Sequence, residues 1–131
     1  MRVLSKPSAS CRSDTGGHFF LYGVYMRVFI SGAITGIEDY KEQFAKREKE
    51  LKEMGYYPVN PVKIGERLKS QLRREPSYEE YLEEDLKILS GCDAINHLPN
   101  WEKSKGAVIE HKAAVKQGKT IVEIKILPRH W

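Results

Sequence analysis

Two acidic side chains, Glu110 and Asp85, lie where the sequence pattern predicts chemistry. On a helical wheel at about 100° per residue, Glu110 points away from the lysines of its helix and lies among small residues, which are Gly106, Ala107, Ala113 and Ala114. A carboxylate on the helix side that packs on a sheet is costly unless another group pairs with it or uses it. The alternative is that Glu110 forms a buried ion pair or lies partly exposed at the sheet edge.

Asp85 follows Tyr78 and Tyr81 along a second helical wheel and borders a stripe of leucines. It is interpreted either as a functional acid or as a surface acid of an acidic helix. Two acids near a ligand-binding edge suit cleavage of a glycosidic bond, where one carboxylate attacks the anomeric carbon and another group handles the leaving group's proton. Spacing alone does not establish this chemistry.

A short loop, Ser31-Gly32-Ala33-Ile34-Thr35-Gly36, follows the apolar run 28–30. Its two glycines and two hydroxyls could present backbone N–H groups to a phosphate or a sugar. The loop matches neither the dinucleotide-binding pattern nor a P-loop, so plain turn chemistry explains it equally well.

The histidines and cysteines predict no metal site. His97 and His111 have no partners at metal-ligand spacing, and Cys11 and Cys92 sit in unrelated contexts. Neither a disulfide framework nor a zinc site is indicated, and a reducing cytoplasm fits. Trp101 and Tyr40 are interpreted as packing residues.

The elements that must position these residues alternate between strand and helix patterns. Short apolar runs at 28–30, 56–59, 94–98 and 120–124 read as strands, and helices are expected over 38–54, around Ile64 to Leu72, from Ser77 to Gly91 and over 104–117. Ser77 and Glu80 form a capping-box pattern. The alternation predicts an α/β fold, a small doubly wound Rossmann- or flavodoxin-like parallel sheet of four to five strands with helices on both faces.

Right-handed crossovers favour the strand order 2-1-3-4, with a switch point beside the first strand. Ligands of such sheets bind at the carboxyl ends of the strands. The site is therefore expected among residues 31–36, residues 99–104 and the start of the helix at Ser104.

The length and the charge of the chain restrict the classes of protein to which it can belong. At 131 residues the chain fits one domain, expected over residues 26–131 from Met26 onward, with residues 1–25 as an aperiodic extension outside the core. Charged residues interrupt every apolar stretch, so no membrane span is predicted. Of the formal net charge of +4, residues 1–25 supply +2, and the other lysines and arginines alternate with glutamates, so nucleic-acid binding is not expected.

Three segments resemble the nucleoside 2-deoxyribosyltransferase superfamily, most closely a short, often phage-associated branch that is similar to 2'-deoxynucleoside 5'-phosphate N-hydrolases. They are VFISGAITG, EDLKILSGCDAINHLP and SKGAVIEHKAAVKQGKTIV, and the likeness runs from Arg27 to about Ile124. The third segment, which looks like the family's G-x-x-x-E helix followed by G-K and a strand, is the most specific.

The resemblance implies roles for individual residues. Glu110 falls at the nucleophilic glutamate, Asp85 at an aspartate that assists proton transfer near the nucleobase, and Gly106 at the small residue four positions before the nucleophile. Ser104 stands where enzymes acting on free nucleosides have an aspartate and the monophosphate hydrolases a serine, which favours a 5'-phosphorylated substrate because a carboxylate would repel phosphate. The first loop lacks the hydrolases' arginine, which Lys103 or Lys105 could replace.

The sequence therefore predicts an N-glycosidase or deoxyribosyl transferase acting on a nucleoside or nucleotide. The resemblance implies no metal or organic cofactor and a homo-oligomer, a dimer or tetramer, whose sites borrow residues from a neighbouring subunit. The substrate contacts are expected from Ser31, Gly32, Ile34, Thr35, Gly36, Ser104 and Gly106. One alternative is a non-catalytic module that binds or senses a nucleotide derivative. Another is a host-interaction protein that uses the fold as a scaffold.

Overall fold

Four parallel strands form a sheet in the order β2-β1-β3-β4 in the computed structural model, which describes residues 25–124. Along the chain the elements are β1 (Arg27–Ser31), α1 (Tyr40–Glu53), β2 (Tyr57–Val59), α2 (Pro61–Leu72), α3 (Tyr78–Ser90), β3 (Ala94–His97), a short 3-10 helix (Trp101–Lys103), α4 (Lys105–Lys116) and β4 (Thr120–Ile121). The predicted α/β class and the strand order 2-1-3-4 are confirmed. Except for Tyr25, the expectation about residues 1–25 concerns residues outside the described range.

The sheet is covered on both faces, as its apolar runs require. Along β1, Val28 and Ile30 point to the face covered by α1, where Phe44 and Leu51 are fully buried. Phe29 points to the opposite face, whose buried cluster includes Ile64 of α2, Leu89 of α3 and Ala114 of α4. The alternation of side chains along a strand thus decides which helices each β1 residue meets. No helix within residues 25–124 has the length and apolar character needed to cross a membrane.

Local sequence signals fix where the helices begin and end. The Asn60 side chain accepts from the Val62 amide, so α2 begins at Pro61, directly after β2 and earlier than its leucine spacing indicates. The capping box at Ser77 is present and starts α3. Gly55 and Gly118 follow α1 and α4 with φ of 93° and 73°, the left-handed conformation that favours glycine.

The last strand is shorter than its apolar run indicates. A strand over 120–124 was expected, but β4 ends at Ile121. The Val122 amide still donates to the Ile95 carbonyl, whereas its carbonyl accepts from the Asn96 side chain at 2.7 Å. The Asn96 side chain therefore occupies the Val122 carbonyl in place of a backbone amide, and the pairing of β3 with β4 ends there.

Gly32, directly after β1, allows the chain to pass close to Leu98. A Cβ at position 32 would lie 2.7 Å from Leu98 Cδ1 and 2.9 Å from Leu98 Cβ, and Leu98 is buried. We expect Gly32→Ala to lower the free energy of unfolding by about 1–3 kcal/mol, as overpacking of a core does. Gly91→Ala is the control, because its Cβ would meet no atom closer than 3.6 Å. Equal midpoints for the two variants in denaturant unfolding would contradict this account.

Candidate active site

Ser31 is the last residue of β1, and its side chain points to the face that carries α3 and α4. The strand alternation that turns Phe29 toward this face turns Ser31 the same way, at the carboxyl edge of the sheet. Ser31 is fully buried, and its Oγ donates to Glu110 Oε1 at 2.6 Å. Ser31, which was predicted to contact the substrate, therefore binds a carboxylate of α4 through its hydroxyl.

Glu110 lies on the sheet-facing side of α4, as the helical wheel predicted. It is 6% exposed, between the buried Ala107 and Ala114 on the same helix. Ser104 starts this helix by accepting from the Ala107 amide at 3.2 Å. The predicted alternative of an ion pair is not seen, because no salt bridge within residues 25–124 includes Glu110.

Asp85 of α3 completes the site from the other side of Glu110. Its half-buried side chain is hydrogen-bonded to the Glu110 carboxyl. The structure thus brings together the two acids that the sequence singled out, 25 positions apart along the chain. Asp85 is not a freely solvated acid of the helix surface.

Burial makes the two carboxyl groups share a proton. It raises the pKa of Asp85, and the negative charge of Glu110 raises it further. Burial also raises the pKa of Glu110, while hydrogen bonds from Ser31 and Asp85 oppose that rise. The pair therefore holds a proton to higher pH than an exposed carboxyl would, and the hydrogen bond from Ser31 favours the charged form of Glu110. An acid beside a carboxylate is the pairing that general acid and nucleophilic catalysis need.

The other predicted site residues surround this pair unequally. Ile34 packs against the core, and Thr35 and Gly36 occupy an exposed turn in which the Ile37 amide donates to the Ile34 carbonyl. Gly36 has φ of 79° there, so the turn explains this glycine without a ligand. Gly106 lies under Tyr78, whose hydroxyl would be 3.3 Å from a Cβ at that position.

Three aromatic rings that the sequence analysis did not connect, those of His97, Trp101 and His111, also contact one another at the carboxyl edge of the sheet. Nδ1 of His111 lies 3.2 Å from Nε2 of His97, and the Trp101 ring stacks on His97 with the centroids 4.2 Å apart. Asn100, in the left-handed conformation with φ of 65°, turns the chain after β3 so that Trp101 covers the histidines. Within residues 25–124 no group of three or more histidine, cysteine or acidic side chains is arranged to hold a metal ion.

A family model described as "Domain of unknown function (DUF4406)" matches residues 26–123. The chain belongs to this family. No curated protein matches the sequence. The matched residues of this DUF4406 chain contain all of β1 to β4 and every side chain of the site described above.

The sequence analysis missed the cluster of His97, His111 and Trp101 in this DUF4406 chain. No regular spacing along the sequence marks these three residues as neighbours. His97 is the register partner of Ser31 in the parallel β1–β3 pair, so the two side chains point to the same face. His111 follows Glu110 on the helix that covers that face. Combining the β3 register with the α4 wheel could have placed the rings together, whereas a search for metal-ligand spacing could not.

The raised pKa values of Asp85 and Glu110 predict how the stability of this DUF4406 chain depends on pH. Both carboxyl pKa values are raised by folding, so their contribution is present at low pH and is lost as pH rises through the raised values. We expect the melting temperature of the wild type to fall between about pH 7 and pH 9 more steeply than that of Asp85→Asn, which cannot ionise. Glu83→Gln, at an exposed position of α3, is the control and should keep the wild-type slope. Parallel slopes for wild type and Asp85→Asn would show that the pair holds no extra proton.

Proposed function

We propose that the protein is an N-glycosidase or deoxyribosyl transferase that cleaves the N-glycosidic bond of a deoxynucleoside or its 5'-monophosphate. The observation that carries this proposal is the buried Glu110 carboxyl, held by Ser31 Oγ at 2.6 Å and hydrogen-bonded to Asp85. It lies at the carboxyl edge of a doubly wound sheet, where such folds bind ligands. The resemblance of the same residues to the nucleoside 2-deoxyribosyltransferase superfamily supports the assignment.

In the proposed reaction, Glu110 attacks C1' of the sugar as a carboxylate. The C1'–N bond breaks, its electron pair leaves with the nucleobase, and Asp85 gives that base its proton. A glycosyl ester on Glu110 results, and water or a second base then attacks C1' and releases the carboxylate. The ionised Asp85 takes the proton of the attacking water or base. The chemistry needs no metal or organic cofactor.

The shared proton suits these two roles. A nucleobase is a poor leaving group unless it is protonated, so the acid must still hold its proton at neutral pH. Burial and the charge of Glu110 raise the pKa of Asp85, which provides such an acid. Ser31 and Asp85 both donate to Glu110 and favour its ionised form, which the nucleophile needs.

By analogy with the superfamily, we extend the proposal to the oligomeric state and the cellular location of the enzyme. The active form is a homo-oligomer, a dimer or tetramer, which light scattering on a sizing column would measure. Cys92 is a free, buried thiol, which fits a reducing cytoplasm where nucleotides are also found.

Base release tests the proposal directly. The purified chain is incubated with deoxynucleosides and their 5'-monophosphates, and free base is measured by chromatography, with and without a second base as acceptor. Release of base supports the proposal, and formation of a new nucleoside shows transfer rather than hydrolysis. Saturable binding with no release from any compound would instead identify a nucleotide-binding module, and no binding at all would favour an interaction scaffold.

Ser104 distinguishes phosphorylated from free substrates. It is the N-cap of α4, and aspartate is also a good N-cap, so Ser104→Asp should preserve the helix while adding a negative charge. We expect kcat/KM for a 5'-monophosphate to fall about 10-fold or more relative to that for the matching nucleoside. Equal losses for the two substrates would contradict a phosphate contact at Ser104.

A further inference from the structure

The imidazole rings of His97 and His111 form a hydrogen-bonded pair at the end of β3. Nδ1 of His111 and Nε2 of His97 lie 3.2 Å apart, so one nitrogen carries the proton and the other accepts it. Within residues 25–124 the second ring nitrogen of each histidine has no protein partner. The pair therefore keeps hydrogen-bonding capacity for a ligand.

This histidine pair adjoins the proposed nucleophile. His111 follows Glu110 on α4, and His97 is the register partner of Ser31, the residue that holds Glu110. The Trp101 ring covers the pair, with its centroid 4.2 Å from that of His97 and 4.6 Å from that of His111. The two histidines therefore lie next to Ser31 across the β1–β3 pair and next to Glu110 along α4.

The pair is uncharged at His97 before any ligand binds. Burial, with the charge of His111, lowers the pKa of His97 to about 4, and the exposed Glu102 opposes this only weakly. From the opposite face of the sheet, Arg47 donates to the His97 carbonyl at 3.1 Å and adds a fixed positive charge. Protonation of His97 is therefore unfavourable until a negative group lies beside it.

The acids of α3 and α4 do not supply that negative charge. The Glu110 carboxyl faces Ser31 and Asp85 and is hydrogen-bonded to both, not to the histidine rings. Lys112, the next residue of α4, is exposed and positive. A dianion bound to the second ring nitrogens of His97 and His111 would supply the negative charge that stabilises the protonated form.

We propose that His97 and His111 recognise the dianionic 5'-phosphate of the substrate and take up a proton as it binds. The inference rests on the proposed function for the identity of the ligand. His97 is the last residue of β3, so the pair lies at the carboxyl end of that strand, where ligands of such sheets bind. The pair thereby gains a role in recognising an anion. It supplies a positive charge at a site whose first loop, Ala33-Ile34-Thr35-Gly36, contains no cation. A neutral nucleoside would gain nothing from this charge.

An NMR titration of the histidine rings of the full chain tests the proposal. The pKa of His97, assigned with the His97→Gln variant, is measured alone and with deoxyadenosine 5'-monophosphate, deoxyadenosine or sulfate, a dianion that does not titrate in this range. We expect the nucleotide to raise the pKa of His97 by about 1 to 3, and sulfate to raise it at higher concentration. Deoxyadenosine should leave it unchanged. No rise with the nucleotide overturns the proposal, and a rise with sulfate alone assigns the pair to a free anion instead.

Two variants separate recognition from a structural role. His111→Gln should weaken binding of the nucleotide about 10-fold or more, leave deoxyadenosine binding unchanged and keep the wild-type circular dichroism. Lys112→Gln, which removes an exposed charge beside the pair, should change neither affinity. Equal weakening of both ligands by His111→Gln would overturn the proposal.

The titration also distinguishes failure of this inference from failure of the proposed function. Hydrolysis would leave the phosphate on the sugar, so the ring response is expected whether or not base is released. A pKa rise without base release would contradict the proposed function alone. Base release without a rise would contradict this inference alone.

Discussion

Glu110→Gln is expected to lower base release by about 10⁴-fold or more, the scale on which loss of a nucleophile acts. Glutamine keeps the size of the side chain, and its amide oxygen can still accept from Ser31 Oγ, which lies 2.6 Å from the carboxylate in the wild type. What is lost is the negative charge that attacks C1'. Substrate binding, measured by calorimetry, should change little because the side chain at position 110 keeps its size.

The Glu110 variant needs a control that changes charge without touching the site. Glu83→Gln removes a carboxylate from an exposed position of α3 and should keep wild-type turnover. If Glu110→Gln also kept wild-type turnover, the nucleophile would be another group. If it lost binding and turnover together, the role of Glu110 would be structural.

Asp85→Asn is expected to lower turnover by about 10²- to 10⁴-fold, the contribution typical of a general acid. Asparagine has a similar shape and can donate its amide to Glu110, but it has no proton to give to the departing base. The loss should therefore depend on the leaving group. A nucleoside whose base leaves easily without protonation should be affected least, and a natural purine most.

This dependence separates an acid from a structural residue at position 85. The measurement is kcat for a natural deoxynucleoside or its 5'-monophosphate and for an analogue with an activated aglycone, in wild type and variant. A much smaller loss for the activated analogue supports Asp85 as the proton donor. Equal losses for both substrates would show that Asp85 acts by holding Glu110 in place.

The fold was predictable because its signals are local and agree with one another. Apolar runs too short for helices marked the strands, and the capping box at Ser77 and the glycine after α4 marked helix ends. The right-handed crossover then restricted the strand order. The end of β4 was not predictable, because the side chain of Asn96 takes the Val122 carbonyl, and this contact spans 26 residues of sequence.

The orientation of a site residue was predictable where it follows from the periodicity of its own helix. Contacts that depend on how two elements pack against each other were not predictable. The wheel of α4 turned Glu110 toward the sheet, and the structure confirms that orientation. The helix pattern of α3 left Asp85 equally interpretable as a surface acid, because only the packing of α3 on α4 places it against Glu110. The partner of Ser31 and the pairing of His97 with His111 depend on strand register, which no single segment encodes.

The most direct test of the central claim is covalent capture of the nucleophile. A 2'-fluorinated deoxynucleoside with a good leaving group, or its 5'-phosphate, forms the glycosyl ester of a retaining glycosidase but slows its breakdown. Intact mass spectrometry should then show a sugar-sized increase, and peptide mapping should assign it to Glu110. The label should be absent from Glu110→Gln. A label on any other residue, or base release from the natural substrate with no covalent species, would contradict Glu110 as the nucleophile.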